Sequence, residues 1–123
     1  MKQSKILIVD DEQRYADMLA KRLTLRGLTC QVCYDGRTAI DIHAGEPFAL
    51  VILDLRLPDL YGTEVLMQIK LDRPATEVVI LTGHGTDHDR DQCMKCGAHA
   101  FINKPVDIDQ LIRIMKKIRE KTE

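Results

Sequence analysis

ILIVDD, at residues 6–11, decides the fold of this chain. Four aliphatic residues run together without polar alternation, which is typical of a strand that is buried on both faces of a sheet. Two similar runs follow at residues 50–53 and 78–81. Strands of this kind occur in parallel sheets that carry helices on both sides, so the sequence predicts an α/β fold.

Helical patterns separate the apolar runs. Apolar residues recur at helical spacing from residue 15 to residue 23, and Gly27 then provides a stop signal. The remaining helical patterns lie at residues 39–44, 65–69, 87–96 and 108–115, and two shorter strands are predicted at 28–33 and 100–102. Five β-α units in strict alternation predict one domain over residues 1–123.

Composition excludes several classes of protein. The chain has 123 residues, 45% of them apolar, with 18 basic and 19 acidic side chains. That charge balance gives no electrostatic footprint for nucleic acid or for an anionic membrane. No apolar run approaches the roughly 20 residues of a membrane span, and the N-terminus does not have the pattern of a signal peptide. We therefore expect a cytoplasmic protein that binds neither nucleic acid nor membrane.

Four cysteines form two C-x-x-C pairs, Cys30 with Cys33 and Cys93 with Cys96, and such pairs can indicate zinc. The first pair falls in a predicted strand, where positions three apart point to opposite faces. The second pair falls in a predicted helix, where small buried side chains are common. The sequence therefore predicts free, reduced thiols.

Polar residues follow four of the five predicted strands. Asp10 and Asp11 follow the first strand, Asp54 the third, Thr82 the fourth and Lys104 the fifth. Singly, each could be a turn, a cap or a surface residue. Together, the three carboxylates would repel one another unless a cation such as Mg²⁺ neutralised them. A hydroxyl and an ammonium beside that cation would suit a phosphoryl group.

These motifs resemble, in order and spacing, the receiver domains of two-component response regulators. They are ILIVDDE at 6–12, DLRLPDLYG at 54–62, LTGH at 81–84, and GA at 97–98 followed by FINKP at 101–105. The resemblance covers essentially the whole chain. It implies a flavodoxin-like, doubly wound (βα)5 fold with a five-stranded parallel sheet in the order 2-1-3-4-5.

The resemblance also implies roles for the polar residues. Asp54 would be the phosphoacceptor and attack phosphorus as a carboxylate nucleophile. Asp11 would bind Mg²⁺ directly and Asp10 mainly through water, with Asp54 and the backbone carbonyl of Arg56 as further ligands. Lys104 would pair with a phosphoryl oxygen.

Further roles concern signalling and the lifetime of the phosphoryl group. Thr82 would hydrogen-bond a phosphoryl oxygen and form the switch together with Phe101. The side chains of Arg56 and His84 would flank the path of the hydrolytic water and so restrain phosphoryl loss. The family also implies a cis peptide bond between Lys104 and Pro105.

A receiver of this kind implies particular partners. The phosphoryl group would come from a sensor histidine kinase or a phosphotransfer protein, and the chain would catalyse only its own phosphorylation and dephosphorylation. The fourth helix, fifth strand and fifth helix would form the output face and could pair two copies by charge complementarity. Its charged residues are Asp87, Asp89, Asp91, Arg113, Lys116 and Lys117.

Two other functions remain open at this point. A haloacid-dehalogenase-type phosphatase would use Asp10 as nucleophile and Glu12 as second acid, but Arg14 stands where that pattern requires a threonine. A receiver-like interaction domain would take no phosphate, although such domains usually lack one of the acids, the threonine or the lysine. Transfer of phosphate to the protein itself would distinguish the three functions.

Overall fold

The computed structural model describes residues 5–122, in which five strands alternate with five helices. The strands are β1 (Lys5–Val9), β2 (Thr29–Cys33), β3 (Leu50–Leu53), β4 (Glu77–Thr82) and β5 (Ala100–Asn103). The helices are α1 (Gln13–Leu25), α2 (Gly36–Gly45), α3 (Gly62–Asp72), α4 (Asp87–Lys95) and α5 (Ile108–Thr122). Every pairing between neighbouring strands is parallel, and the predicted order β2-β1-β3-β4-β5 is confirmed.

Two apolar layers cover the two faces of the sheet, because side chains alternate along each strand. In β1, Ile6 and Ile8 pack on the side of α1 and α5. Leu7 and Val9 pack on the side of α2, α3 and α4. Both faces are thus buried, which explains why the central strands have unbroken apolar sequences.

The helices end where the sequence supplies suitable residues. Gly27 follows α1 with a φ of +89°, and Gly97 follows α4 with a φ of +101°. Glycine adopts such left-handed backbone without a steric penalty. Thr86 begins α4 with a capping box, in which its hydroxyl accepts the Asp89 N–H and the Asp89 carboxylate accepts the Thr86 N–H. Between residues 5 and 122, no helix is both long enough and apolar enough to cross a membrane.

All four cysteines are free thiols, as predicted. Cys30 packs in the layer on one face of the sheet and Cys33 in the layer on the other, so this pair cannot close on one metal ion. Cys93 and Cys96 both pack in the layer under α4. Burial raises the pKa of Cys33 to about 12 and that of Cys93 to about 11, which makes both thiols unreactive at neutral pH.

Candidate functional site

The carboxyl ends of the strands bring the predicted polar residues to one edge of the sheet. Asp10 follows β1, Asp54 follows β3, Lys104 follows β5, and Thr82 is the last residue of β4. Backbone hydrogen bonds continue beyond the strands and fix these positions. The Asp54 N–H donates to the carbonyl of Val9 at 3.0 Å, and the Lys104 N–H donates to the carbonyl of Thr82 at 2.9 Å.

The ammonium of Lys104 lies among three carboxylates at this edge. Its Nζ is 2.8 Å from Oδ2 of Asp10, 2.6 Å from Oε1 of Glu12 and 3.2 Å from Oδ2 of Asp54. Burial acts to lower the pKa of Lys104, but hydrogen bonds to Asp10 and Glu12 outweigh it and raise that pKa. The ammonium is therefore charged at any physiological pH.

The carboxylates around Lys104 leave an excess of negative charge. Asp10, Glu12 and Asp54 each offer an oxygen atom, and these atoms lie within 4.8 Å of one another. Burial raises the pKa of Asp10; the hydrogen bond from Lys104 opposes this, and the charge of Asp54 adds to it. Oδ1 of Asp54 is buried and has no hydrogen-bond partner among residues 5–122. This buried oxygen without a partner, in a group of three acids and one ammonium, fits a further cation.

The third acid of this group differs from the sequence prediction. Asp11 is exposed, and the group that the structure assembles contains Glu12 instead. The chain bends at Asp11, whose side chain is exposed, whereas the side chains of Asp10 and Glu12 both reach Lys104. The Glu12 N–H also donates to Oδ1 of Asp10 at 3.0 Å, which fixes this turn. The role of Asp11 as a direct metal ligand therefore stays a prediction.

Thr82 and Phe101 lie next to each other beneath the site. Thr82 is fully buried, and its hydroxyl oxygen accepts the N–H of His84 at 3.3 Å. The ring of Phe101 is turned inward and only 8% of the residue is exposed. A Cβ at Gly85 would lie 2.3 Å from this ring and 2.9 Å from Cγ2 of Thr82, so the inward ring requires glycine there.

The two residues assigned to phosphoryl lifetime are both exposed at this edge. Arg56 forms an isolated bridge with Tyr61 across the loop that follows Asp54, and His84 lies in the loop after β4. The peptide bond between Lys104 and Pro105 is cis, which confirms the expectation drawn from the resemblance.

A family model described as the response regulator receiver domain matches residues 6–116. The chain belongs to the response-regulator receiver family. This receiver is 34% identical to the response regulator ArlR of Staphylococcus epidermidis over 115 residues, which are 94% of this chain and 52% of ArlR. It is 30% identical to the regulatory protein AtoC of Escherichia coli over 114 residues, which are 93% of this chain and 25% of AtoC.

The fold of this receiver is similar to that of a solved CheY-like receiver domain protein from Methanospirillum hungatei. The TM-score is 0.92 at 30% sequence identity, and the match covers 98% of each chain. The chain spans about half of ArlR and a quarter of AtoC. Family membership and sheet order favour a receiver over the phosphatase alternative.

Several contacts could not be read from the sequence. The ion pair between Lys104 and Glu12 joins residues 92 positions apart. The ring of Tyr15 lies 4.8 Å from Nζ of Lys104, and no motif singles this tyrosine out. No sequence signal separates Glu12 from Asp11, because the bend at Asp11 decides which of the two side chains faces Lys104.

Proposed function

We propose that this receiver accepts a phosphoryl group on Asp54, in a Mg²⁺-dependent reaction, from a sensor histidine kinase or a phosphotransfer protein. The buried Oδ1 of Asp54 carries the proposal, since it has no partner in the described chain while Oδ2 lies 3.2 Å from Lys104. Oδ1 thus keeps its lone pairs for the cation, and Oδ2, held beside the ammonium, is the oxygen that would bond phosphorus.

The transfer step can be written with this chain's own residues. An oxygen of Asp54 forms a bond to phosphorus, and the bond between phosphorus and the donor imidazole nitrogen breaks. The electron pair stays on that nitrogen, which takes a proton from solvent. The ammonium of Lys104 and the hydroxyl of Thr82 donate hydrogen bonds to phosphoryl oxygens as negative charge accumulates there. The receiver thereby catalyses only its own phosphorylation and, with water as acceptor, its own dephosphorylation.

The group of acids suits Mg²⁺, a hard cation that prefers oxygen ligands. Asp10 and Asp54 would hold the ion together with the backbone carbonyl of Arg56. Glu12 and Asp11 are the two candidates for the remaining acidic contact, directly or through water. When bound, Mg²⁺ would neutralise the carboxylates and the incoming phosphoryl oxygens.

We expect the intact mass of the protein to rise by one phosphate when it is incubated with acetyl phosphate and Mg²⁺. Asp54→Asn should abolish this rise, because an amide cannot act as the nucleophile, and removal of Mg²⁺ with EDTA should suppress it. Asp41→Asn, at an exposed acid in α2, is the matched control and should be labelled like wild type. A wild-type protein that stays unlabelled would favour the interaction-domain alternative.

The lifetime of the phosphoryl group should depend on Arg56 and His84, two bulky exposed side chains that are poorly suited to orient a water molecule. We expect the double variant Arg56→Asn, His84→Glu to lose phosphate about tenfold faster, which corresponds to about 1.4 kcal/mol in the barrier. Loss of phosphate over time, followed by intact mass, measures this rate. Decay at or below the wild-type rate would show that these side chains do not restrain hydrolysis.

Phosphorylation is proposed to act through Thr82 and Phe101 on the face formed by α4, β5 and α5. Asp87 and Asp91 are exposed on α4, and Lys116 and Lys117 are exposed on α5. Opposite charges on one face can pair two copies of the chain. We propose that this output acts in the cytoplasm and that the receiver itself contacts neither nucleic acid nor membrane.

Dimerisation through this face is tested with a phosphate mimic. We expect beryllofluoride with Mg²⁺ to raise the sedimentation coefficient in a manner that depends on protein concentration. Added salt should weaken the association, because exposed charges are screened. A protein that remains monomeric at high concentration with the mimic bound would contradict the dimer.

A further inference from the structure

Tyr15 lies against the end of the Lys104 side chain. It belongs to the first turn of α1, and its ring centroid is 4.8 Å from Nζ of Lys104. Its hydroxyl oxygen lies 3.5 Å from the backbone nitrogen of Val106, at the outer limit of a hydrogen bond. The tyrosine therefore touches both the ammonium and the backbone two residues further along.

The face of the Tyr15 ring can attract the Lys104 ammonium without occupying any of its hydrogen-bond donors, which the carboxylates cannot do. An ammonium has three N–H donors, and three carboxylates, those of Asp10, Glu12 and Asp54, lie within hydrogen-bonding range of this one. When Asp54 carries a phosphoryl group, one donor must turn toward a phosphoryl oxygen. The Tyr15 ring attracts the positive charge electrostatically and uses no donor, so its attraction survives that rearrangement.

We infer that Tyr15 is a positioning residue for phosphoryl transfer, which holds the Lys104 ammonium beside Asp54 while its donors exchange partners. This inference rests on the proposed function of Asp54. The ring carries the effect, so phenylalanine should substitute for Tyr15 and leucine should not. The contact of the hydroxyl with Val106 plays only a supporting part.

The position of the ammonium can be measured without any phosphorylation. In protein labelled with ¹³C-lysine, the ε-protons of Lys104 should be shifted upfield by the ring current of Tyr15, and Lys104→Arg identifies the signal by its loss. Tyr15→Phe should keep the upfield shift and Tyr15→Leu should remove it. A Lys104 signal at the same position in the leucine variant and in wild type would overturn the inference.

Phosphorylation rates then test the consequence. With acetyl phosphate and Mg²⁺, Tyr15→Leu should react about fivefold more slowly than wild type, and Tyr15→Phe within about twofold of it. Tyr34→Leu is the control, since Tyr34 donates to Asp17 at 2.7 Å, a contact outside the Lys104 site. Equal rates for Tyr15→Leu and Tyr34→Leu would overturn the positioning role.

These two measurements also separate this inference from the proposed function. If wild-type protein shows the shifted lysine signal but takes no phosphate, the role of Asp54 fails, and with it the role of Tyr15 in transfer. If wild type takes phosphate but its lysine signal is unshifted, only the Tyr15 inference fails.

Discussion

Lys104→Met should lower the free energy of unfolding by about 3 kcal/mol when Mg²⁺ is absent, since removing one partner of a buried charge group leaves the others uncompensated. The side chains of Asp10 and Asp54 are only 5% and 6% exposed, so water solvates them poorly once the ammonium is removed. Glu12 is 64% exposed and adds little to the loss. Urea denaturation in EDTA measures the effect.

Mg²⁺ should reverse most of this loss. The ion and the ammonium compete for the charge of the same carboxylate groups, so the Lys104→Met variant should bind Mg²⁺ more tightly than wild type and gain more stability from it. Lys70→Met is the matched control, because Nζ of Lys70 donates to the carbonyls of Pro74 and Thr76, away from the carboxylates of the site. An equal loss of stability with and without Mg²⁺, or weaker Mg²⁺ binding, would contradict this picture of the site.

Gly62→Ala should destabilise the fold by about 3 kcal/mol. A Cβ at Gly62 would lie 2.6 Å from Cα of Leu55 and 2.7 Å from the carbonyl oxygen of Asp54. Both contacts are with backbone, which cannot rotate away as a side chain can. The Gly62 N–H also donates to the carbonyl of Leu55 at 2.7 Å, so the loop after Asp54 would have to open.

Chemical denaturation of Gly62→Ala measures this cost. Gly45→Ala is the matched control and should not destabilise the protein, since its Cβ would meet no described atom within 4 Å outside its chain neighbours and its own helix backbone. A Gly62→Ala variant with the wild-type denaturation midpoint would show that the loop after Asp54 adjusts freely. In that case the close approach of Gly62 to the backbone of Asp54 and Leu55 would not be what holds the loop after Asp54 in place.

The strands were predictable because each buried strand is apolar on both faces. The run from Leu50 to Leu53 became β3, and its end places Asp54 at the site. The apolar run at residues 78–81 predicts a shorter β4 than the observed strand, which extends from Glu77 to Thr82. Backbone hydrogen bonding continues beyond the apolar side chains at both ends. The order of the strands came from the family resemblance, since periodicity along one strand contains no information about its neighbours.

Only the site residues that directly follow the strands could be predicted from the sequence. The sequence indicates which residues follow each strand, and the structure brings Asp10, Asp54 and Lys104 together as expected. Side-chain direction beyond the strand end separates Glu12 from Asp11, and that direction depends on a local turn. The contact between Tyr15 and Lys104 depends on where tertiary packing places the start of α1 relative to the loop after β5.

The most direct test of the central claim is the location of the phosphate. An aspartyl phosphate is an acyl phosphate, and borohydride reduces it to homoserine, which peptide mass spectrometry assigns to one position. After treatment with acetyl phosphate and Mg²⁺, we predict homoserine at residue 54 and unmodified aspartate at residues 10 and 11. Homoserine at Asp10, the nucleophile of the phosphatase alternative, or no homoserine in a protein whose mass had risen, would contradict the assignment of Asp54.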